Sequence, residues 1–168
     1  VFTGAMDYWA NCDAVIWFAT EIFPTLYKHD NRYQFFIVGS KPSPKVVKLS
    51  QQAGIEVTGR VEDIRPYIKH AFLSIAPLRI ARGIQNKILE AMAMEKVVVA
   101  TSNAMEGINI NDQIAKNIKD TVKETIECIL NLDNNKDLEQ LGKDSSTWIN
   151  KQYQWNKVLQ PLKQLINP

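Results

Sequence analysis

The sequence predicts an α/β fold: a doubly wound, mostly parallel, six-stranded Rossmann-like sheet followed by a helical tail. Short apolar segments alternate along the chain with segments of helical periodicity, which is the pattern of consecutive βαβ units. The strand segments are apolar throughout, as expected of strands that are buried on both faces of a sheet. We expect one domain over residues 1–168, with an α/β core over residues 1–133 and a helical tail over residues 134–168.

Local patterns place the strands and helices. The predicted strands are "VFTG", "YQFFIVG", "IEVTGR", "AFLSIAP" and "KVVVAT", with a weaker sixth strand around Gln113–Asn117. Helices are predicted for "CDAVIWFATEIF", whose apolar residues recur on one face, for Pro44–Ala53, and after Asp63. Another helix begins near Arg82 or Gly83, "DTVKETIECILNL" forms the next, and two more make up the tail.

Composition and charge exclude several classes of protein. With 45% hydrophobic residues, 23% charged residues and a net charge of +2, the chain is an ordinary globular sequence without the basic excess of a nucleic-acid-binding domain. It has no membrane-span-length apolar run and no signal peptide. The two cysteines are interpreted as structural residues in a reducing compartment, so we expect a cytoplasmic protein. Cys12 and Cys128 lack metal-ligand spacing, and His29 and His70 are isolated, which predicts no metal and no bound cofactor.

The predicted topology selects the loops in which a ligand would bind. In doubly wound sheets, ligands bind beyond the carboxyl ends of the strands, near the point where the strand order switches. The loops at that edge are Gly4–Asn11, Gly39–Pro44, Gly59–Asp63, Pro77–Gly83 and Thr101–Gly107. They contain neither a GxGxxG fingerprint nor a P-loop, which disfavours classical NAD binding and ATPase chemistry.

The stretch "RIARGIQNKILEAMAMEKVVVAT" concentrates charge where a helix begins. A helix starting near Arg82 would place Gly83, Lys87 and Glu90 on one stripe beside the core face. Its free N–H groups, together with the cations Arg79, Arg82 and Lys87, would attract phosphate, and Glu90 could accept hydrogen bonds from two sugar hydroxyls. The alternative is an ordinary Lys87–Glu90 pair on a solvated helix face.

The same stretch resembles a family signature. "GIQNKILEAMAMEKVVVAT" followed by "EGI" is similar to the C-terminal, donor-binding domain of GT-B-fold glycosyltransferases of the retaining, family-4 ("group 1") type. "FTGAMDYWANCDAVIWF", "FIVGSKPSPKV" and "VTGRVEDIRPYIKHAFLSIAPLRIARG" resemble other blocks of that domain in the same order, over roughly residues 1–110. The sequence of these motifs is most similar to that of the exopolysaccharide-type branch of the family.

The resemblance implies a nucleotide-sugar donor domain of a glycosyltransferase, with a role in bacterial surface polysaccharide or glycoconjugate synthesis. It places the ribose at Glu90, the base at the loop Gly59–Val61, and the donor phosphates near Gly4. Arg82 and Lys87 would lie by the diphosphate or the transferred sugar and stabilise the leaving group. The candidate catalytic residues are thus Arg82 and Lys87, and the candidate nucleotide-sugar-binding residues are Gly4, Gly59, Arg60, Val61, Arg79, Gly83, Lys87 and Glu90.

The sequence departs from the family pattern at two places. Arg82 stands where many members have a second glutamate near the sugar, and Glu95-Lys96 replaces the usual glycine before the next strand. The resemblance also implies an N-terminal acceptor-binding domain of the full-length chain, which these residues do not include. We expect the isolated chain to bind nucleotide weakly without transferring sugar, and any peripheral membrane association to come through that other domain.

Two other functions remain open at this stage. A GT-B-like sugar-nucleotide epimerase would share the architecture, although no strong acid/base candidates for it are visible in the sequence. In a non-catalytic α/β interaction module, the charged residues of the same helix would simply face solvent. The base, the sugar, the acceptor and the stereochemical outcome are not specified by these residues.

Overall fold

Parallel strands form the centre of the protein in a computed structural model that describes residues 1–153. The strands are β1 (Phe2–Thr3), β2 (Phe35–Val38), β3 (Ile55–Gly59), β4 (Ser74–Ala76) and β5 (Val98–Ala100). They form a three-stranded sheet in the order β1-β2-β3 and a two-stranded sheet of β4 and β5, with parallel pairing throughout. Each of these strands lies within a segment that the sequence predicts as a strand.

Backbone hydrogen bonds of Val1 join the two sheets edge to edge. The Val1 carbonyl accepts from Ile75 N at 2.9 Å, and the Val1 amino group donates to the Leu73 carbonyl at 3.0 Å. The strands therefore lie side by side in the order β3-β2-β1-β4-β5. Because the order reverses between β1 and β4, the carboxyl ends of these two strands flank the topological switch point at which such sheets bind ligands.

Helices follow the strands and cover the sheet. They are α1 (Trp9–Trp17), α2 (Phe23–His29), α3 (Pro44–Val47), α4 (Arg65–His70), α5 (Asn86–Ala93), α6 (Ser102–Met105), α7 (Asp112–Ala115), α8 (Val122–Asp133) and α9 (Leu138–Gln152). A π-helical turn over Phe18–Ile22 joins α1 to α2, and a 3₁₀ turn over Lys48–Gln51 extends α3. The alternation of strands and helices confirms the predicted α/β class. None of the helices over residues 1–153 is long and apolar enough to cross a membrane.

The core lies on both sides of the strands, as a parallel sheet requires. Phe2, Ile37 and Ile75 are almost fully buried in the strands. The Phe18 ring packs against Phe35 with ring centroids 4.8 Å apart, and Phe23 lies against the same ring at 5.9 Å. Full burial of one side chain of this size stabilises the folded state by about 1.5–3 kcal/mol relative to leaving it exposed. This burial explains why the strand segments read as apolar on both faces.

The sixth strand predicted around Gln113–Asn117 is wrong. The first of those residues belong to helix α7, which ends at Ala115. In place of a paired strand, the structure has a single parallel bridge between Ala100 and Ile118. The reason is local: the Asn111 side chain accepts a hydrogen bond from Ile114 N at 2.9 Å and caps the helix. The described residues therefore contain three plus two strands rather than a six-stranded sheet.

The predicted start of the charged helix is also wrong. Helix α5 begins at Asn86, with Gln85 at its N-cap in an extended conformation, whereas the prediction placed the start near Arg82 or Gly83. Gly83 has a φ of 71°, in the left-handed region, and the Gln85 side-chain amide donates to the Gly83 carbonyl at 3.1 Å. Gly83 thus belongs to a turn before the helix, and only Lys87 and Glu90 share the predicted helical stripe.

The described part of the tail docks as predicted. Helix α9 lies close to α5, and the Ser146 hydroxyl donates to the Ala93 carbonyl at 3.2 Å. At the far end of α9, Trp148 Nε1 donates to the Asn109 carbonyl at 3.0 Å, and Asn109 N donates to the Tyr153 hydroxyl at 3.0 Å. The second tail helix, with the packing residues expected at Trp155, Leu159, Leu162 and Leu165, lies outside the described residues.

Candidate functional site

Three glycines stand at the carboxyl ends of adjacent strands. Gly4 N donates to the Val38 carbonyl at 3.0 Å, and Gly39 N donates to the Gly59 carbonyl at 3.2 Å, so the loops after β1, β2 and β3 are in register. A Cβ atom on Gly39 would lie 1.6 Å from the Gly4 carbonyl oxygen. At Gly59, with a φ of 69°, no atom lies within 4 Å of such a Cβ. The first contact requires glycine, and the second position opens onto free space at this edge.

Lys87 reaches across this edge from α5 to β1. Its ammonium nitrogen lies 4.3 Å from the centroid of the Phe2 ring, a cation–π contact, and donates a hydrogen bond to Asn11 Oδ1 of α1. A Cβ atom on Gly4 would lie 3.1 Å from the same nitrogen. Lys87 is therefore held between α1, β1 and α5 at the switch point, directly over the loop that Gly4 begins.

Burial changes the acidity of this ammonium group. Removal from water lowers the pKa of Lys87 from 10.5 to about 8, and the negative charge of Glu90 opposes the shift in part. The group still carries its proton at pH 7. No carboxylate of the described residues forms an ion pair with it. A partly buried cation with only neutral hydrogen-bonding partners is suited to receive an anionic ligand.

The start of α5 adds to this positive potential. No side chain caps its first turn, and that turn contains no acidic residue. The free N–H groups and the dipole of a helix N-terminus favour a bound anion. Glu90 lies one turn beyond Lys87, is exposed, and forms no ion pair with any described residue. Its carboxylate oxygens are available to accept hydrogen bonds from a hydroxylated ligand.

The other predicted residues lie in loops at the same edge. Arg82 and Gly83 are exposed in the turn that leads into α5, and Arg60 is exposed and Val61 half-buried immediately after Gly59. Among the described residues, no hydrogen bond or ion pair joins these two loops. The structure therefore places these residues around the edge without joining them into one hydrogen-bonded network.

Arg79 is directed elsewhere. Its guanidinium forms two hydrogen bonds to Asp13 of α1, at 2.5 and 3.0 Å, and its Cζ atom lies 5.6 Å from the centroid of the Trp17 ring. The Asp13 carboxylate raises the pKa of Arg79 further above its already high value. Arg79 thus pairs with Asp13 and Trp17 of α1, whereas Lys87 donates its hydrogen bond to a different residue of α1, Asn11.

Asn11 is the residue that sequence reasoning missed. It is 6% exposed and donates from Nδ2 to the Ala5 carbonyl at 2.9 Å, in addition to accepting from Lys87. The helix was predicted to begin at Cys12, which left Asn11 in the loop, whereas α1 begins at Trp9. The available signal was its spacing: Asn11 stands three and four residues before the buried Ala14 and Val15, on the same helix face.

Three further features of the described chain are an apolar pocket, two free thiols and the absence of a metal-binding cluster. An apolar pocket of about 700 Å³ lies at the opposite, amino ends of β2 and β4 and contains none of the predicted site residues. Cys12 and Cys128 are both free thiols. Within residues 1–153, no three His, Cys, Asp or Glu side chains are grouped so as to hold a metal ion.

Comparison with known proteins identifies the family. The profile of the family described as "Glycosyl transferases group 1" matches residues 1–135. The chain belongs to the group 1 glycosyltransferase family. A search of curated protein sequences gives no match for it. Family membership agrees with the resemblance carried by the charged helix and the glycine loops.

Solved glycosyltransferase structures share the fold. A crystal structure of TarM matches with a TM-score of 0.78 at 20% identity, over 100% of this chain and 34% of that one. A mutant of S. aureus TarM, in complex with fondaparinux, alpha-GlcNAc-glycerol and UDP, matches with a TM-score of 0.71 at 22% identity, over 85% of this chain and 31% of that one. A glycosyltransferase from Rickettsia africae matches with a TM-score of 0.70 at 18% identity, over 99% of this chain and 47% of that one. This chain thus spans less than half the length of these structures.

Proposed function

We propose that this group 1 glycosyltransferase chain is the donor-binding, C-terminal part of an enzyme that transfers sugar from a nucleoside diphosphate to an acceptor. The observation that carries the proposal is the position of Lys87. Its ammonium lies at the switch point of the sheet, over Gly4 and next to the uncapped start of α5, without a carboxylate partner. This is the arrangement that a diphosphate requires.

The proposed pose follows the geometry of that edge. The diphosphate lies between the Gly4 loop, the Lys87 ammonium and the first N–H groups of α5. One turn further along α5, Glu90 accepts hydrogen bonds from the two ribose hydroxyls. The base lies toward the loop of Gly59, Arg60 and Val61, where the open space at Gly59 admits a ring. Arg82 and Gly83, in the turn before α5, border the diphosphate and the transferred sugar.

Lys87 and Arg82 are the proposed catalytic groups. When the bond between the sugar and the diphosphate breaks, negative charge grows on the leaving phosphate. Positive groups placed beforehand at that position stabilise the developing charge, and a site partly closed to water strengthens the effect. We propose the nucleotide sugar as donor substrate and no further cofactor, because Lys87 and the α5 N-terminus supply positive charge from the protein itself.

The remaining parts of the proposal concern the whole enzyme. The chain spans 31–47% of the three matched structures, so an acceptor-binding domain elsewhere in the full-length protein would complete the cleft. On its own, this chain would bind nucleotide weakly and transfer no sugar. We propose a cytoplasmic enzyme of the exopolysaccharide-type branch that builds a bacterial surface polysaccharide or glycoconjugate. The TarM complex, which holds UDP and a GlcNAc-glycerol, supports the substrate class.

Calorimetric titration with UDP, GDP and ADP tests the ribose assignment. We expect one of them to bind, and Glu90→Ala to weaken that binding about tenfold or more, since hydrogen bonds to a charged group contribute about 1.5–3 kcal/mol each. Glu127→Ala on α8, which removes an exposed carboxylate outside this edge, is the matched control and should leave the affinity unchanged. A chain that binds none of the three nucleotides, as an interaction module would, contradicts the proposal. A product assay on the full-length enzyme separates transfer from epimerisation.

A further inference from the structure

Asn11 is a buried polar side chain with both ends of its amide engaged. Nδ2 donates to the Ala5 carbonyl in the loop after β1, and Oδ1 accepts from the Lys87 ammonium, 76 residues away in the sequence. The side chain is 6% exposed, so its orientation is determined by the protein rather than by solvent. Because Ala5 offers an acceptor, the nitrogen end must face the loop, and the oxygen end then faces Lys87.

We propose that Asn11 is a positioning residue for the donor site: it fixes the Lys87 ammonium over the Gly4 loop through a neutral acceptor, which leaves the charge of that ammonium for the donor phosphates. The inference deepens the proposed function and rests on it. An amide oxygen can hold an ammonium group without neutralising it. A carboxylate at the same position would form an ion pair with Lys87 and compete with any anionic ligand.

The neighbouring acids are directed away from Lys87. Asp7, four residues before Asn11, pairs with Lys41 at 3.1 Å, and Asp13, two residues after it, pairs with Arg79 at 2.5 Å. Both carboxylates close to Asn11 in the sequence are thus engaged by other cations.

The groups that face the ammonium are the Phe2 ring from β1, the Gly4 backbone, the Asn11 amide from α1 and the Glu90 carboxylate from α5 itself. Among these described neighbours, Glu90 alone carries charge, and it forms no ion pair with Lys87. In the proposed pose it is occupied by the ribose. The surroundings of Lys87 therefore leave its ammonium without an ion-pair partner among the described residues, at the position where the diphosphate would lie.

Gly4 is part of the same arrangement. A Cβ atom on Gly4 would lie 2.8 Å from Asn11 Nδ2 and 3.1 Å from Lys87 Nζ. A side chain at this position would displace the Asn11 amide and the ammonium together. Gly4 therefore leaves space for the Asn11–Lys87 contact, besides allowing the backbone to approach a ligand.

Asn11→Asp tests the proposal because it changes charge at almost constant shape. The matched control is Asn31→Asp, which adds the same charge to an exposed turn at the amino ends of the strands. In the ligand-free protein, NMR titration should show the pKa of Lys87 raised by one unit or more in Asn11→Asp and unchanged in Asn31→Asp. At pH 7, Asn11→Asp should weaken the binding of UDP and of inorganic pyrophosphate about tenfold or more, and the control should not.

The outcomes separate the inference from the proposed function. A Lys87 pKa that is the same in Asn11→Asp and wild type, or unchanged pyrophosphate binding despite a raised pKa, overturns the role of Asn11. Pyrophosphate binding that Asn11→Asp weakens, in a protein that binds no nucleotide, supports Asn11 as the positioning residue while contradicting nucleotide-sugar binding. If Asn11→Asp does not fold, Asn11→Ala replaces it. That variant should lower the pKa of Lys87 and weaken pyrophosphate binding, and wild-type values for both would overturn the inference.

Discussion

The carbonyl oxygen of Gly4 occupies the space in which residue 39 would carry a Cβ atom. An ideal Cβ on Gly39 would lie 1.6 Å from that oxygen and 2.7 Å from the Gly4 carbonyl carbon. The approach is held by the parallel pairing of β1 with β2 and by the hydrogen bond from Gly4 N to Val38 O. The loop that borders Lys87 thus depends on Gly39, which directly follows the neighbouring strand β2 and lies outside the proposed ligand contacts.

Gly39→Ala should destabilise the protein strongly. The atom that the new methyl group meets belongs to backbone, so β1 and β2 must separate, and we expect a loss of about 2–3 kcal/mol in the free energy of unfolding. Urea denaturation measures it. Gly59→Ala is the control: its methyl group would meet nothing within 4 Å, and only the φ of 69° opposes it, at about 1–2 kcal/mol. A smaller loss for Gly39→Ala than for Gly59→Ala would contradict the steric account.

Glu95→Gly should stabilise the protein. Glu95 has a φ of 60° at the end of α5, where Glu95 N donates to Met92 O and Lys96 N to Ala91 O, the two hydrogen bonds of a Schellman motif. The left-handed conformation opposes a residue with a Cβ by about 1–2 kcal/mol, and the greater freedom of glycine in the unfolded chain offsets part of that. Thermal unfolding should show a gain of about 0.5–1 kcal/mol. Glu95→Ala keeps the Cβ and should show none; an equal gain would point to the carboxylate instead.

The sequence predicts the elements of this fold better than their ends. Each observed strand lies in an apolar segment that alternation identified, because burial on both faces leaves a clear signal. The prediction of a sixth strand was wrong because the Asn111 side chain accepts a hydrogen bond from Ile114 N and caps a helix in this weakly apolar segment. The start of α5 was predicted early because Gly83 suits a helix N-terminus as well as the left-handed turn that it adopts.

The candidate site was predictable where a motif is local. Lys87 and Glu90 are three residues apart on one helix, and Gly4 ends a strand, so spacing alone places them at the same edge. The partners of the charged groups could not be predicted. Asn11 meets Lys87 across 76 residues, and Asp13 meets Arg79 across 66. Such pairings depend on how α1 packs against β1 and on the loop after β4, which periodicity does not specify.

The contribution of Lys87 to the free energy of unfolding should rise with pH between about 8 and 10. Burial lowers the pKa of Lys87 to about 8, whereas the unfolded chain keeps that proton up to the usual value of 10.5. Between these values the unfolded state binds more protons, so raising the pH favours the folded state.

Lys87→Met removes this effect. It should be more stable than wild type at pH 7, by about 1–3 kcal/mol, and the difference should shrink toward pH 10. Urea denaturation at both pH values measures it. Lys123→Met, at a lysine side chain that is 85% exposed, is the control and should show no such convergence. A difference between Lys87→Met and wild type that stays constant with pH would contradict the lowered pKa.

Asp13→Asn and Arg79→Gln decide whether Arg79 binds the nucleotide. The pair is half exposed, so each variant should lower the free energy of unfolding by less than about 1 kcal/mol. Because Asp13 and Trp17 hold the guanidinium along α1, away from Lys87, we expect UDP affinity within about twofold of wild type in both. The opposite result would be tighter binding in Asp13→Asn and weaker binding in Arg79→Gln. It would show that Asp13 competes with the phosphates for Arg79, as the role first predicted for Arg79 requires.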